Sequence, residues 1–148
     1  MRAAKLFAAL AILQLGLALF EGRRTRPSID IYFHGTYFVV ARAHWFELMA
    51  VTSALFALVY VAASRWVVHP LNSSLGLTHF VFALTGFVFL SNAFFTIGSE
   101  MANGLPAGRA VYHWVFLAFS AGSFCFLLGC ATLAVNCLCT GISFFRTR

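Results

Sequence analysis

Four long apolar runs, broken only by short polar connections, restrict this chain more than any other feature of it. A helix needs roughly 20 apolar residues to cross the hydrocarbon core of a bilayer. The runs at 4–20, 32–64, 77–98 and 111–141 have lengths of that order or more. In lipid every backbone amide needs an internal partner, so four helices are favoured over strands. Composition agrees: 61% of the 148 residues are hydrophobic, 9% are charged, and the mean hydropathy is +0.89. The expected fold is all-α, an integral membrane four-helix bundle forming one transmembrane domain over 1–148.

Along the chain, a basic head (Arg2, Lys5) precedes the first run, which resembles a signal peptide but has no small-x-small cleavage site after it. An uncleaved first span is expected. A polar connection follows with Arg23, Arg24, Arg26 and Pro27. The second span, 32–64, exceeds what a bilayer requires and is expected to tilt or project. His69-Pro70 and Asn72-Ser73-Ser74 supply helix-stopping chemistry before the third span. A second polar loop at 99–109 leads into the fourth. The net charge of +6 sits mostly in loops and tails, which points to topology and anionic headgroups and away from nucleic acid. With the N-terminus inside, Arg2, Lys5, Arg65, Arg146 and Arg148 face the cytoplasm against Arg23, Arg24, Arg26 and Arg109 outside. That margin favours both termini cytoplasmic.

The stretch 30–49, DIYFHGTYFVVARAHWFELM, carries the candidate chemistry. A polar start with Asp30, Tyr32, His34, Thr36 and Tyr37 leads into a span holding Arg42, His44 and Glu47. Ionisable groups inside a span mark a functional site by default. At 100° per residue, positions 42 and 44 lie about 200° apart on a helix, so Arg42 and His44 face nearly opposite ways. Tyr37, Val40, Ala41, Glu47, Leu48 and Val51 share the His44 side. His44 is either a metal ligand or is hydrogen-bonded, to Glu47 one turn on or to a polar group of a neighbouring helix. Arg42 calls for an anionic partner, namely a lipid phosphate, an acidic group of a cofactor or a carboxylate on another helix, or for a cation–π contact with Trp45.

HGTYFVVARAH resembles the HDTYYVVAHFH segment that opens the tenth transmembrane helix of haem-copper oxidase subunit I. THFVFALTGFVFLSNAFFTIGSEM, starting at Thr78, is similar to that family's eleventh helix, and Ser120-Ala121-Gly122-Ser123-Phe124 resembles the S-x-G-S-F of its twelfth. The likeness runs from about Asp30 to Val135. It implies that the last three spans pack as the final three helices of subunit I, that the chain sits in a bacterial inner membrane, and that haem and partner membrane subunits belong to its setting.

The resemblance also locates the departures. Arg42 stands where the family has the axial ligand of the oxygen-reducing haem, and a guanidinium has no lone pair to give iron. Gly35 replaces an aspartate of the outer metal region. His44 falls on the position of the low-spin haem ligand. For the second axial ligand the chain offers His113 near the start of the fourth span and His34 near the polar surface; a second copy or another subunit are the remaining sources. The implied cofactor-binding residues are therefore His44, His113, Arg42 and Tyr37, with His44, His113 and His34 as candidate metal ligands. His79 is expected at the opposite end of the bundle from His44.

Cys125, Cys130, Cys137 and Cys139 lack zinc-site spacing and read as buried free thiols on a small-residue face of the fourth span. No phosphate loop, activated nucleophile or carboxylate pair is present, and Asp plus Glu number only 4. The expected function is that of a small subunit I-like membrane subunit of a larger bioenergetic complex, not itself an oxygen-reducing enzyme, holding one low-spin haem for electron transfer. The alternative is a haem-free structural or assembly subunit. Expected partners are membrane lipids and either other membrane subunits or a second copy of the chain.

Overall fold

The computed structural model describes residues 2–23, 29–33, 36–66, 71–102 and 109–146, with side chains at 2–23, 41–65, 71–97, 99 and 110–140. Four helices, α1 (Arg2–Gly22), α2 (Arg42–Trp66), α3 (Ser73–Ala102) and α4 (Arg109–Arg146), are each long and apolar enough to cross a membrane. The chain is an all-α integral membrane bundle, with one β-hairpin between α1 and α2.

That hairpin corrects the expected second span. β1 (Ile29–Phe33) pairs antiparallel with β2 (Thr36–Val40) in the register Ile29↔Val40 through Phe33↔Thr36. The helix therefore starts at Arg42, about ten residues later than the apolar run begins. The physical reason lies in the residue types: IDIYF and TYFVV are dominated by β-branched and aromatic side chains, which lose χ1 freedom in a helix and suit a pleated strand. An open two-stranded ribbon leaves edge groups unpaired, which hydrocarbon does not tolerate. The hairpin consequently belongs at the membrane surface.

The helices pack as two antiparallel pairs, α1 with α2 and α3 with α4, joined chiefly by α1 against α3. Between α2 and α3 the backbones stand farther apart and long side chains bridge them, Trp45 on Phe94 and Ser91, Phe46 on Phe95 and Tyr60 on His79. α1, outside the motif resemblance, packs most closely along α2. The end of the bundle that holds the start of α1 is closed by Phe7, Ala57, Tyr60 and Ala83. At the other end, next to the hairpin, Ala93 packs with Val115 and Ala118. Leu10, Met49 and Phe87 fill the middle.

Small residues set the α3–α4 distance. A Cβ at Gly86 would lie 2.9 Å from the Gly122 carbonyl oxygen, and one at Gly122 would lie 3.0 Å from the Leu90 nitrogen. Gly129 meets the Ala83 nitrogen at 3.3 Å. Backbones this close give the van der Waals contact that holds helices together where no hydrophobic driving force exists between them. The small-residue face of α4 is narrower than expected, because Ser120 and Ala131 are exposed. The cysteines also differ from expectation: all are free, but Cys137 and Cys139 are exposed rather than buried.

Polar cross-ties add registration. Ser53 donates to Gln14 Oε1 at 2.8 Å between α2 and α1, both side chains being buried. Asn72 caps α3, its Oδ1 accepting from the Ser74 and Leu75 nitrogens at 2.9 and 3.3 Å. The same residue exchanges two hydrogen bonds with the Asn136 amide of α4, at 2.8 and 3.0 Å. Asn72, expected as helix-stopping chemistry, here starts α3 as its cap; His69-Pro70 lie outside the described residues.

Candidate functional site

The start of α2 brings Arg42, His44 and Glu47 into two successive turns. At 1.5 Å rise per residue, Glu47 is only about 8 Å along the helix from Arg42. These charges are therefore near the hairpin end of the span and not at its centre, so the cost expected of mid-bilayer ionisable groups falls accordingly.

His44 lies on the outward face, its side chain 66% exposed, and its Nδ1 is 2.9 Å from Glu47 Oε2. An ionised carboxylate only accepts, so Nδ1 carries the proton and donates it. In the neutral ring the lone pair is then on Nε2, for which no hydrogen-bond partner exists among the described residues. A carboxylate that fixes the tautomer and orientation of a histidine is the arrangement found behind ligating imidazoles. Beside it runs a shallow apolar recess of about 410 Å³ between α1 and α2, lined by Ala11, Leu15, Glu47, Ala50, Val51 and Ala54. Glu47 belongs to both features, since it lines the recess and holds His44 one turn nearer the hairpin.

Arg42 faces the other way, as the 200° separation requires. Its guanidinium sits 5.3 Å from the Phe95 ring centroid on α3, within the range of a cation–π contact. The expected partner, Trp45, is engaged elsewhere: it stacks on Phe94 at 4.6 Å and donates Nε1 to Ser91 Oγ at 3.0 Å. Arg42 Nε is buried and without a hydrogen-bond acceptor among the described residues.

The remaining sequence candidates are not gathered around His44. His113 is exposed on α4, and no hydrogen bond or ring contact joins it to His44 among the described residues. Tyr37 is on β2, opposite Tyr32, and so is not on the helical face assigned to it, as is also true of Val40; its side chain lies outside the described residues. His34 lies outside the described residues altogether. Among the described residues no three histidine, cysteine or carboxylate side chains form a metal-binding group.

Sequence reasoning placed His79 at the end away from His44 but missed its partner. His79 is fully buried, with Nδ1 3.0 Å from the Tyr60 hydroxyl and the rings of Phe7 and Phe56 at 4.8 and 4.6 Å. Its Nε2 is buried without a hydrogen-bond partner among the described residues. The only signal in the chain was a histidine inside an apolar span, which names no partner.

No characterised protein and no solved structure matches the chain. A protein family does: Cytochrome C and Quinol oxidase polypeptide I, over residues 2–121. The match includes α1, which the separate motifs left out, and stops at Ala121, inside the third motif. It covers well over half of the 148 residues, and the chain belongs to the cytochrome c and quinol oxidase polypeptide I family.

Proposed function

We propose that the chain serves as a small subunit I-like membrane subunit of a larger electron-transfer complex, and that His44, through Nε2, would hold one haem. The observation that carries this reading is the 2.9 Å contact between His44 Nδ1 and Glu47, which in a neutral ring directs the lone pair to the outward nitrogen. Bound haem would supply one-electron transfer, with its potential tuned by the axial ligands and by burial. The protein side of the site consists of His44 as ligand, Glu47 as its orienting carboxylate, and the alanine-lined wall of α1 and α2 as the surface for the ring. Arg42 and Tyr37 drop back in this reading, Arg42 because it faces α3. A second nitrogen would be supplied from outside this helix pair: by a partner subunit, by a second copy docked on the α1–α2 face, whose His113 is one source, or by His34. The role needs no catalytic centre in this chain. The chain is integral to a bacterial inner membrane, with both termini on one side of it.

The test is an absorbance spectrum of the protein extracted in mild detergent with its complex, oxidised and dithionite-reduced. A sharp pair of reduced bands that His44→Ala abolishes is the expected result, with His79→Ala leaving them intact. Glu47→Gln should retain haem but change its potential, since the carboxylate acts on iron only through the ring. A flat visible spectrum from a folded wild-type protein would favour the second reading, a haem-free structural subunit. That reading also has an observation behind it: an i,i+3 His–Glu pair satisfies itself on a helix surface without any ligand.

A further inference from the structure

An apolar groove of about 370 Å³ runs between α1, α2 and α3 on the side of α2 turned away from His44. Its walls include Leu10, Leu13, Phe46, Phe87, Val88 and Phe95. Residues 42, 46 and 49 follow one stripe of α2 at i, i+4 and i+7, and Phe46 and Met49 line the groove. Arg42 is therefore the next residue of that stripe toward the hairpin end. Its guanidinium lies over Phe95, whose ring is 5.3 Å from that of Phe46. One cation thus stands at the membrane-surface end of an apolar channel that leads toward the bilayer interior.

No carboxylate pairs with that cation among the described residues. Glu47 is bound to His44 on the opposite side of α2, and Arg42 has only the aromatic contact, with Nε buried and without an acceptor. A guanidinium keeps its charge and offers planar forked donors suited to phosphate oxygens. We infer that Arg42 and this groove form a binding site for an anionic phospholipid, with the phosphate on the guanidinium and one acyl chain along Leu13, Phe46 and Val88. The occupant is amphiphilic because the site is: a charged mouth at headgroup depth and an apolar floor below it. Zwitterionic lipid fits the groove equally well but leaves the arginine charge without a net counter-charge. Snorkelling keeps the guanidinium at that depth, since its stem lies along apolar surface. The site is on the opposite side of α2 from His44 and does not depend on haem.

Native mass spectrometry of the protein in detergent, given an equal mixture of phosphatidylglycerol and phosphatidylcholine, tests this. The wild-type chain should retain phosphatidylglycerol with about tenfold preference, the scale of one charge-assisted contact. Arg42→Gln should lose the preference and Arg42→Lys should keep part of it. Val88→Trp, at an exposed groove position where folding is not at risk, should lose retained lipid while Arg42 remains. Excess inorganic phosphate should not displace the lipid. Equal retention of both lipids by the wild type overturns the proposal, as does a full preference in folded Arg42→Gln. If Arg42→Gln does not fold, Val88→Trp decides: full retention there removes the groove from the site. Displacement by inorganic phosphate would overturn the lipid assignment in favour of a free-anion site.

Discussion

At the scale of single residues, what each side chain does follows from which partners its helix face reaches. Tyr60 and His79 illustrate the energetic side. A neutral imidazole has one donor and one acceptor; Nδ1 shares its hydrogen bond with the Tyr60 hydroxyl, and Nε2 has no partner among the described residues. Tyr60→Phe would leave both ring nitrogens buried and unpaired, at a cost of about 1–3 kcal/mol. Replacing His79 by Leu in the same background removes the unpaired groups, so the double variant should be more stable than Tyr60→Phe alone. A denaturant-based double-mutant cycle in mixed micelles reads this directly, and strict additivity would contradict a coupled pair. The contact between His44 and Glu47 was legible in the sequence because both residues sit on one helix at a fixed spacing. The contacts of Arg42 with Phe95 and of His79 with Tyr60 were not, since they span separate helices and nothing local sets that register.

At the scale of elements, the helices were readable from length and hydropathy because the bilayer enforces both. The beginning of α2 was not. A hydrophobic run marks what can enter lipid, and the aromatic and β-branched residues around the polar start, Ile31, Phe38 and Val40 among them, extend it although they favour strands there. α4 shows the complementary effect: its 38 residues extend about 57 Å, well beyond a hydrocarbon core of about 30 Å, so it tilts or projects. The glycines give the prediction at this scale. A Cβ at Gly122 would meet backbone, the Leu90 nitrogen at 3.0 Å and the Gly86 carbonyl oxygen at 3.1 Å. Backbone cannot step aside cheaply, so Gly122→Ala should destabilise α3–α4 packing by roughly 1–3 kcal/mol. Gly16 has nothing within 4 Å of such a Cβ; Gly16→Ala should be neutral or stabilising by up to about 1 kcal/mol through helix propensity. Thermal midpoints of the two variants in detergent should move in different directions. A common shift would mean that helix propensity and not interhelical distance governs both positions.

For the whole molecule, the late start of α2 changes the charge balance that orients it. Counting Arg42 with the hairpin end gives Arg23, Arg24, Arg26, Arg42 and Arg109 on one side, against Arg2, Lys5, Arg65, Arg146 and Arg148 on the other. The majority read from the sequence becomes a tie, and the positive-inside rule then exerts almost no net torque on the bundle. Two consequences are expected. Because four helices alternate in direction, the two chain termini should label from the same side of the membrane in every molecule, whichever way that molecule faces. Because the charges balance, orientation should respond to small changes: Arg23→Gln with Arg24→Gln should drive both termini to the cytoplasm, and Arg2→Gln with Lys5→Gln should drive them outward. Single cysteines placed at each terminus in a background lacking Cys125, Cys130, Cys137 and Cys139, labelled with an impermeant maleimide in intact cells, report both results. Labelling of the two termini from opposite sides would end the four-span topology. Orientation unmoved by either double substitution would mean that something other than loop charge holds the bundle in place, and a partner subunit inserted beside the α1–α2 face would become the first candidate to examine.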